Sequence, residues 1–218
     1  MEKKEKTTLF WTHQGEGEPL VLLHGNGESK EIFGPLSASL QGDFKVLSYD
    51  ARCHGQSPCH GDLTYETLAL DLIGFLEEHC PDGASVFGFS DGAITVLEAV
   101  IRRPDLFRKI ALAGVNTSLS GLKPSVLSAI RRSYEETQSV FDALMLSQNT
   151  IPEHDLRAID VPVMMAFGER DIATPAHIET LKTVLRPRVF LIAKGHDHGS
   201  YVSGSVYLAD PLRDFLKT

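Results

Sequence analysis

The chain has 218 residues, 42% hydrophobic and 23% charged, a composition that supports one domain with a sizeable core. Its formal net charge of -8 argues against a nucleic-acid partner, and no apolar run approaches the roughly 20 residues that span a bilayer. Three cysteines, an odd number in a chain too large to need staples, are read as reduced thiols of a cytoplasmic protein. The opening MEKKEKTT is charged and has no apolar stretch behind it, so it does not read as a secretory signal.

In chain order, LFWTHQGEGEPLVLL suggests a hairpin turning over Gly15 to Pro19. PLVLLHG, FKVLSYD, ASVFGFS, KIALAGV, PVMMAFGE and RVFLIAK follow as short apolar runs without polar alternation, the pattern of strands buried on both faces. Helical segments separate them. TYETLALDLIGFLEEHC starts from Thr64 as N-cap and puts Leu68, Leu72, Phe75 and Leu76 on one face. DGAITVLEAVIRR follows ASVFGFS directly and stops before Pro104. This alternation predicts an α/β protein, a mainly parallel central sheet flanked by helices, in a single domain over 1–218.

One interval breaks the rhythm. Residues 116–160 hold no strand candidate and offer two helical stretches, with Val126, Leu127 and Ile130, then Val140, Phe141, Leu144 and Met145, as apolar positions. It reads as a small helical cap inserted between core strands, near the carboxyl edge of the sheet where open α/β folds bind ligands.

Four strand ends carry chemistry. GFSDG, residues 88–92, lies where a strand passes into a helix, the context of a nucleophile elbow that presents Ser90 at a helix N-terminus. HGNGES, residues 24–29, ends the first buried strand and can supply one backbone donor, at Asn26. The amide of Asp91 would supply the second donor of an oxyanion hole. GERD, residues 168–171, leaves Asp171 at the edge of the sheet. KGHDHGSY, residues 194–201, offers His196 and His198 as candidate bases.

Taken together, HGNG, DARCHGQS, GFSDGA, GERD and GHDH, in the order Ser, Asp, His, resemble the α/β-hydrolase superfamily, here a small bacterial esterase-like serine hydrolase with a reduced cap. The resemblance runs from about Pro19 to the C-terminus. It implies that Ser90 attacks a carbonyl, that a histidine moves its proton and that Asp171 orients the ring. Related hydrolases commonly end the last strand with a glycine, two loop residues and then the catalytic histidine, which selects His198; an alignment placing the base directly after the glycine selects His196. The implied function is cleavage of a small ester or related acyl substrate through an acyl-enzyme. Hydrolysis of a thioester, lactone, amide or C–C bond uses the same triad, and a ligand-binding or signalling protein with slow turnover is the rival of another class.

Two positions depart from the family. Cys53 stands where glycine is usual, and Asp91 where many members are apolar. A carboxylate there opposes a developing oxyanion unless it turns outward to cap the helix. The Cys53-His54 and Cys59-His60 repeat lacks the Cys-x-x-Cys pairs of soft-metal sites, so neither metal nor other cofactor is expected. Phe89, Leu122, Tyr134, Phe141, Met145, Ile172 and Tyr201 are candidates to line the substrate pocket. Arg131 and Arg132 read as a solvated helix face.

Overall fold

The computed structural model describes residues 8–218; the stretch tested above for a signal sequence lies, but for Thr8, outside the described residues. Seven strands form one sheet: β1 (Trp11–Gln14), β2 (Pro19–Leu23), β3 (Lys45–Tyr49), β4 (Ala84–Phe89), β5 (Phe107–Ala113), β6 (Val163–Arg170) and β7 (Val189–Asp197). Their order is β1-β3-β2-β4-β5-β6-β7, all parallel except β1. All six apolar runs form strands. The expected hairpin does not: β1 pairs antiparallel with β3, Trp11 opposite Tyr49, and Gly15 lets the chain cross over instead of turning back. A Cβ on Gly15, whose φ is +74°, would strike the carbonyl oxygens of Gln41 and Phe44, so those residues dictate the path.

Alternate residues of the strands feed two cores, because side chains leave a strand on opposite faces. Val21, Leu23 and Val86 pack against α2 (Tyr65–His79), α3 (Asp91–Arg102) and α7 (Pro175–Leu185). Leu20, Leu22, Phe87 and Phe89 pack on the other face, against α1 (Gly34–Leu40) and α8 (Ala209–Lys217). Thr64 caps α2 as expected: its hydroxyl accepts from the Thr67 N–H, and the Thr67 side chain answers to the Thr64 N–H. The interval after β5 folds into α4 (Pro124–Thr137), α5 (Val140–Leu146) and the short α6 (Glu153–Arg157). Of these, α6 carries too brief an apolar pattern to be read from sequence, having one buried residue, Leu156.

The thiol reading requires correction. Cys53 and Cys59 are joined by a disulfide, and Cys80 alone is free and buried. Their six-residue separation brackets a tight loop in which Cys53 takes φ +63° and Gly55 φ +50°, and this bend brings the two sulfurs together. The cytoplasmic assignment loses the support it drew from reduced thiols. Among the described residues, no helix is long and apolar enough to cross a membrane.

Candidate active site

Ser90 sits between β4 and α3 with φ 52° and ψ -116°, a conformation that costs a non-glycine residue on the order of 1–3 kcal/mol. Its backbone is locked on both sides. The Ser90 N–H donates to the Ala113 carbonyl at 2.8 Å, and the Ser90 carbonyl accepts from Ala93 at 2.9 Å. The glycines of the elbow are there for space. A Cβ on Gly88 would come within 2.5 Å of the Gly92 carbonyl oxygen, and one on Gly92 would run into the Leu23 carbonyl of β2.

The Ser90 Oγ lies 3.0 Å from His198 Nε2, and His198 Nδ1 lies 2.8 Å from Asp171 Oδ1. Asp171 is buried and held by two backbone donors: Ala173 N–H to Oδ1 at 3.2 Å and Gly168 N–H to Oδ2 at 3.1 Å. With Asp171 as acceptor, Nδ1 carries the proton and Nε2 is left as an acceptor facing the Ser90 hydroxyl. His196 is not in this chain. Its Nδ1 is 3.1 Å from the Ser200 hydroxyl, and its ring lies 4.7 Å from that of Tyr207. Asp197 accepts from the Gly199 and Ser200 N–H groups, which bends the loop and swings His198 inward.

The loop after β2, which carries Asn26, is fixed by its own hydrogen bonds. His24 Nδ1 donates to the Gly25 carbonyl at 2.8 Å, and Nε2 accepts from the Ala51 N–H at 3.0 Å, an assignment that only the neutral ring allows. Burial pushes the His24 pKa down to about 4. Glu28 accepts from the Gly25 N–H at 3.0 Å and from Ser203 Oγ at 2.7 Å. Among the described residues, no internal acceptor takes the N–H of Asn26 or of Asp91. The Asn26 side chain instead donates to the Phe141 carbonyl of α5 at 2.9 Å.

An open cleft of about 720 Å3 lies over Ser90 and His198. Of the pocket candidates, Phe89, Phe141, Met145 and Ile172 line it, joined by Ser133, Thr137, Ser139 and Asp142. Leu122, Tyr134 and Tyr201 do not. Leu122 is buried and bridges Ala173, and Tyr201 is fully buried, its hydroxyl donating to the Ala166 carbonyl at 3.1 Å. Tyr134 lies on α4 outside the lining. Arg131 and Arg132 are exposed. A larger groove of about 980 Å3, past Thr8, Arg52 and Asp71, touches none of Ser90, Asp171 or His198.

Two details escaped sequence reading. Gly114, with φ +59°, lies so close beneath the His198 ring that a Cβ would be 2.6 Å from Cε1; its signal, a glycine just past a strand end, is too common to single out. Asp91 does not turn outward. Its carboxyl is buried and accepts from the Tyr65 hydroxyl at 3.0 Å, since α2 packs against the start of α3.

A mostly parallel α/β sheet with a strand–serine–helix elbow facing a His–Asp pair is the architecture shared by one large class of proteins. The pattern of the Alpha/beta hydrolase family matches residues 20–217, and the chain belongs to that family. Over 96 residues it is 35% identical to an abhydrolase domain-containing protein of Schizosaccharomyces pombe, a match covering 43% of this chain and 36% of that one. It is 22% identical over 189 residues to the pimeloyl-[acyl-carrier protein] methyl ester esterase of Aliivibrio salmonicida, covering 82% and 69%. The chain thus spans about a third of the first relative's length. A thermophilic esterase of Thermogutta terrifontis superposes with a TM-score of 0.81 at 17% identity, over 97% and 96% of the two chains, a likeness of fold.

Proposed function

We propose that this alpha/beta hydrolase is a serine hydrolase that cleaves small carboxylic esters, or closely related acyl compounds, through an acyl-enzyme. The observation that carries the reading is the continuous Asp171–His198–Ser90 hydrogen-bond chain, at 2.8 and 3.0 Å, opening onto the cleft. The esterase relatives are consistent with it.

In this reading His198 Nε2 takes the Ser90 proton as Oγ attacks the acyl carbon. The Asn26 and Asp91 N–H groups receive the negative oxygen of the tetrahedral intermediate. His198 then gives the proton to the departing alkoxide, which leaves as the alcohol. Water, deprotonated by the same ring, attacks the acyl carbon, releases the acid and restores Ser90. Asp171 fixes the tautomer and stabilises the imidazolium. The cap helices α4 and α5 form one wall of the acyl site, and a small-molecule acyl substrate is the expected partner.

A fluorophosphonate probe tests the proposal. The protein should be labelled at Ser90 and show an alcohol burst with short p-nitrophenyl esters, and Ser90→Ala should abolish both while leaving the fold intact. Undiminished labelling in the variant overturns the nucleophile assignment.

A further inference from the structure

A separate small cavity adjoins the elbow at Asp91 and Gly92 and shares Gly25 with the cleft. It measures about 20 Å3 and is lined by His24, Tyr49, His54, Asp91, Thr95 and Leu144, among others. Two of these residues carry buried polar atoms with no hydrogen-bond partner, His54 Nε2 and Asp91 Oδ2. Unpaired buried polar groups are costly, and two lining one cavity call for a common partner. The His54 Nδ1 lies 2.9 Å from the Arg52 carbonyl, which can only accept, so Nδ1 carries the ring proton and Nε2 needs a donor. Thr95 donates its hydroxyl proton to the Asp91 carbonyl at 2.8 Å, which leaves its own oxygen free to accept. A cavity of this size holds one water, and a buried water commonly makes about three hydrogen bonds.

Among the described residues, no fixed cation faces the carboxyl. Tyr65 from α2 gives its one hydrogen bond, and Glu28 from the loop after β2 adds a like charge. His24 and His54 are driven towards the neutral form by burial, and His198, on the loop after β7, has its Nε2 turned to Ser90. A carboxylate so placed would be an uncompensated buried charge.

We infer that a single water molecule occupies this cavity, linking Asp91, His54 and Thr95, and that the Asp91 carboxyl is held there as the neutral acid. The water accepts from Asp91 Oδ2–H and donates to His54 Nε2 and to Thr95 Oγ1. Burial pushes the Asp91 pKa up to about 7, so the neutral form prevails on the acid side of neutrality. The consequence for catalysis rests on the proposed function: the neutral acid leaves the Asp91 N–H unopposed as an oxyanion donor, whereas the carboxylate would repel the intermediate.

The proton and the water are tested without any substrate. A group whose folded pKa lies above its unfolded value adds stability that is complete below the unfolded pKa and lost as pH rises through the folded one. Between about pH 4 and about pH 7, the folding constant of wild type relative to Asp91→Asn should fall about tenfold per pH unit. Tyr65→Phe, which removes a bond favouring the charged form, should carry that fall to higher pH. A pH-independent ratio between wild type and Asp91→Asn overturns the neutral acid. Should Asp91→Asn not fold, infrared spectroscopy of wild type from about pH 5 to about pH 9 decides: a protonated-carboxyl band must vanish near pH 7, and its absence at the acid end refutes the proposal. A high-resolution crystal structure must show one water within hydrogen-bond reach of Asp91 Oδ2 and His54 Nε2; direct contact between the two, or an empty cavity, overturns the water. Loss of Ser90 labelling would sink the hydrolase reading and leave these results standing.

Discussion

At the scale of single residues, the two histidines of KGHDHGSY are told apart by geometry. His198 reaches both Ser90 and Asp171, whereas His196 is engaged with Ser200 and Tyr207. Loss of a general base typically costs several orders of magnitude. His198→Ala should therefore lose at least about a thousandfold in kcat/KM, and His196→Ala less than about tenfold, in steady-state assays of folded variants. The opposite ranking would reassign the base. Gly114 gives a second prediction. A methyl group there meets the His198 ring at 2.6 Å from Cε1 and 2.9 Å from Nδ1, on a backbone that already disfavours side chains. The ring is the movable partner, and displacing a reacting group by about 1 Å costs on the order of a hundredfold. Gly114→Ala should show that loss in kcat/KM with a near-native circular dichroism spectrum; full activity would mean that the ring's position is not critical.

At the scale of elements, the buried strands were legible because both faces of each are covered, so each reads as an unbroken apolar run. The partner of β1 was not legible. Trp11 and Tyr49 are brought together by the whole sheet, and no local signal separates that pairing from a hairpin. The elbow was legible because its glycines answer to nearby backbone. The inward turn of Asp91 depends on where α2 carries Tyr65, which spacing does not reveal. Four of the seven pocket candidates line the cleft, because local sequence does not separate an apolar residue that faces a cleft from one that faces a core, and Tyr201 faces the core. The α4–α5 segment is tied down by the Asn26–Phe141 hydrogen bond and by the His54 ring, 4.5 Å from that of Phe141. It leaves an open cleft of about 720 Å3, whose lining sets Ser133, Thr137, Ser139 and Asp142 among the apolar Phe141 and Met145. An acyl chain gains about 0.8 kcal/mol per methylene only while apolar wall remains to bury it. Across a homologous p-nitrophenyl ester series, kcat/KM should rise to about six carbons and then level or fall. A steady increase to long-chain esters would contradict this.

At the scale of the whole molecule, buried histidines set the response to acid. His24 is locked neutral between the Gly25 carbonyl and the Ala51 N–H, which joins the loop after β2 to the end of β3. Burial lowers its pKa from 6.5 to about 4, and His54 and His177 are shifted the same way by burial. In the unfolded chain these rings take up protons below about pH 6.5, while the folded protein resists until lower pH. Their contribution is thus complete above the unfolded pKa and is lost as pH falls through the folded one. For His24 the shift corresponds to roughly 3 kcal/mol between pH 6.5 and pH 4. Asp91, shifted upward, acts in the opposite sense over much of the same interval and flattens the wild-type profile. The His24 contribution is therefore best read by difference. Asn at position 24 can donate and accept but does not titrate. The unfolding free energy of wild type relative to His24→Asn, from urea melts, should fall by roughly 3 kcal/mol as pH drops from about 7 to about 4, because only the wild type then takes up a proton at position 24 on unfolding. A difference that stays constant with pH would show that the His24 ring titrates in the folded protein as it does in the unfolded chain, and the assignment of a ring locked neutral between Gly25 and Ala51 would have to be given up.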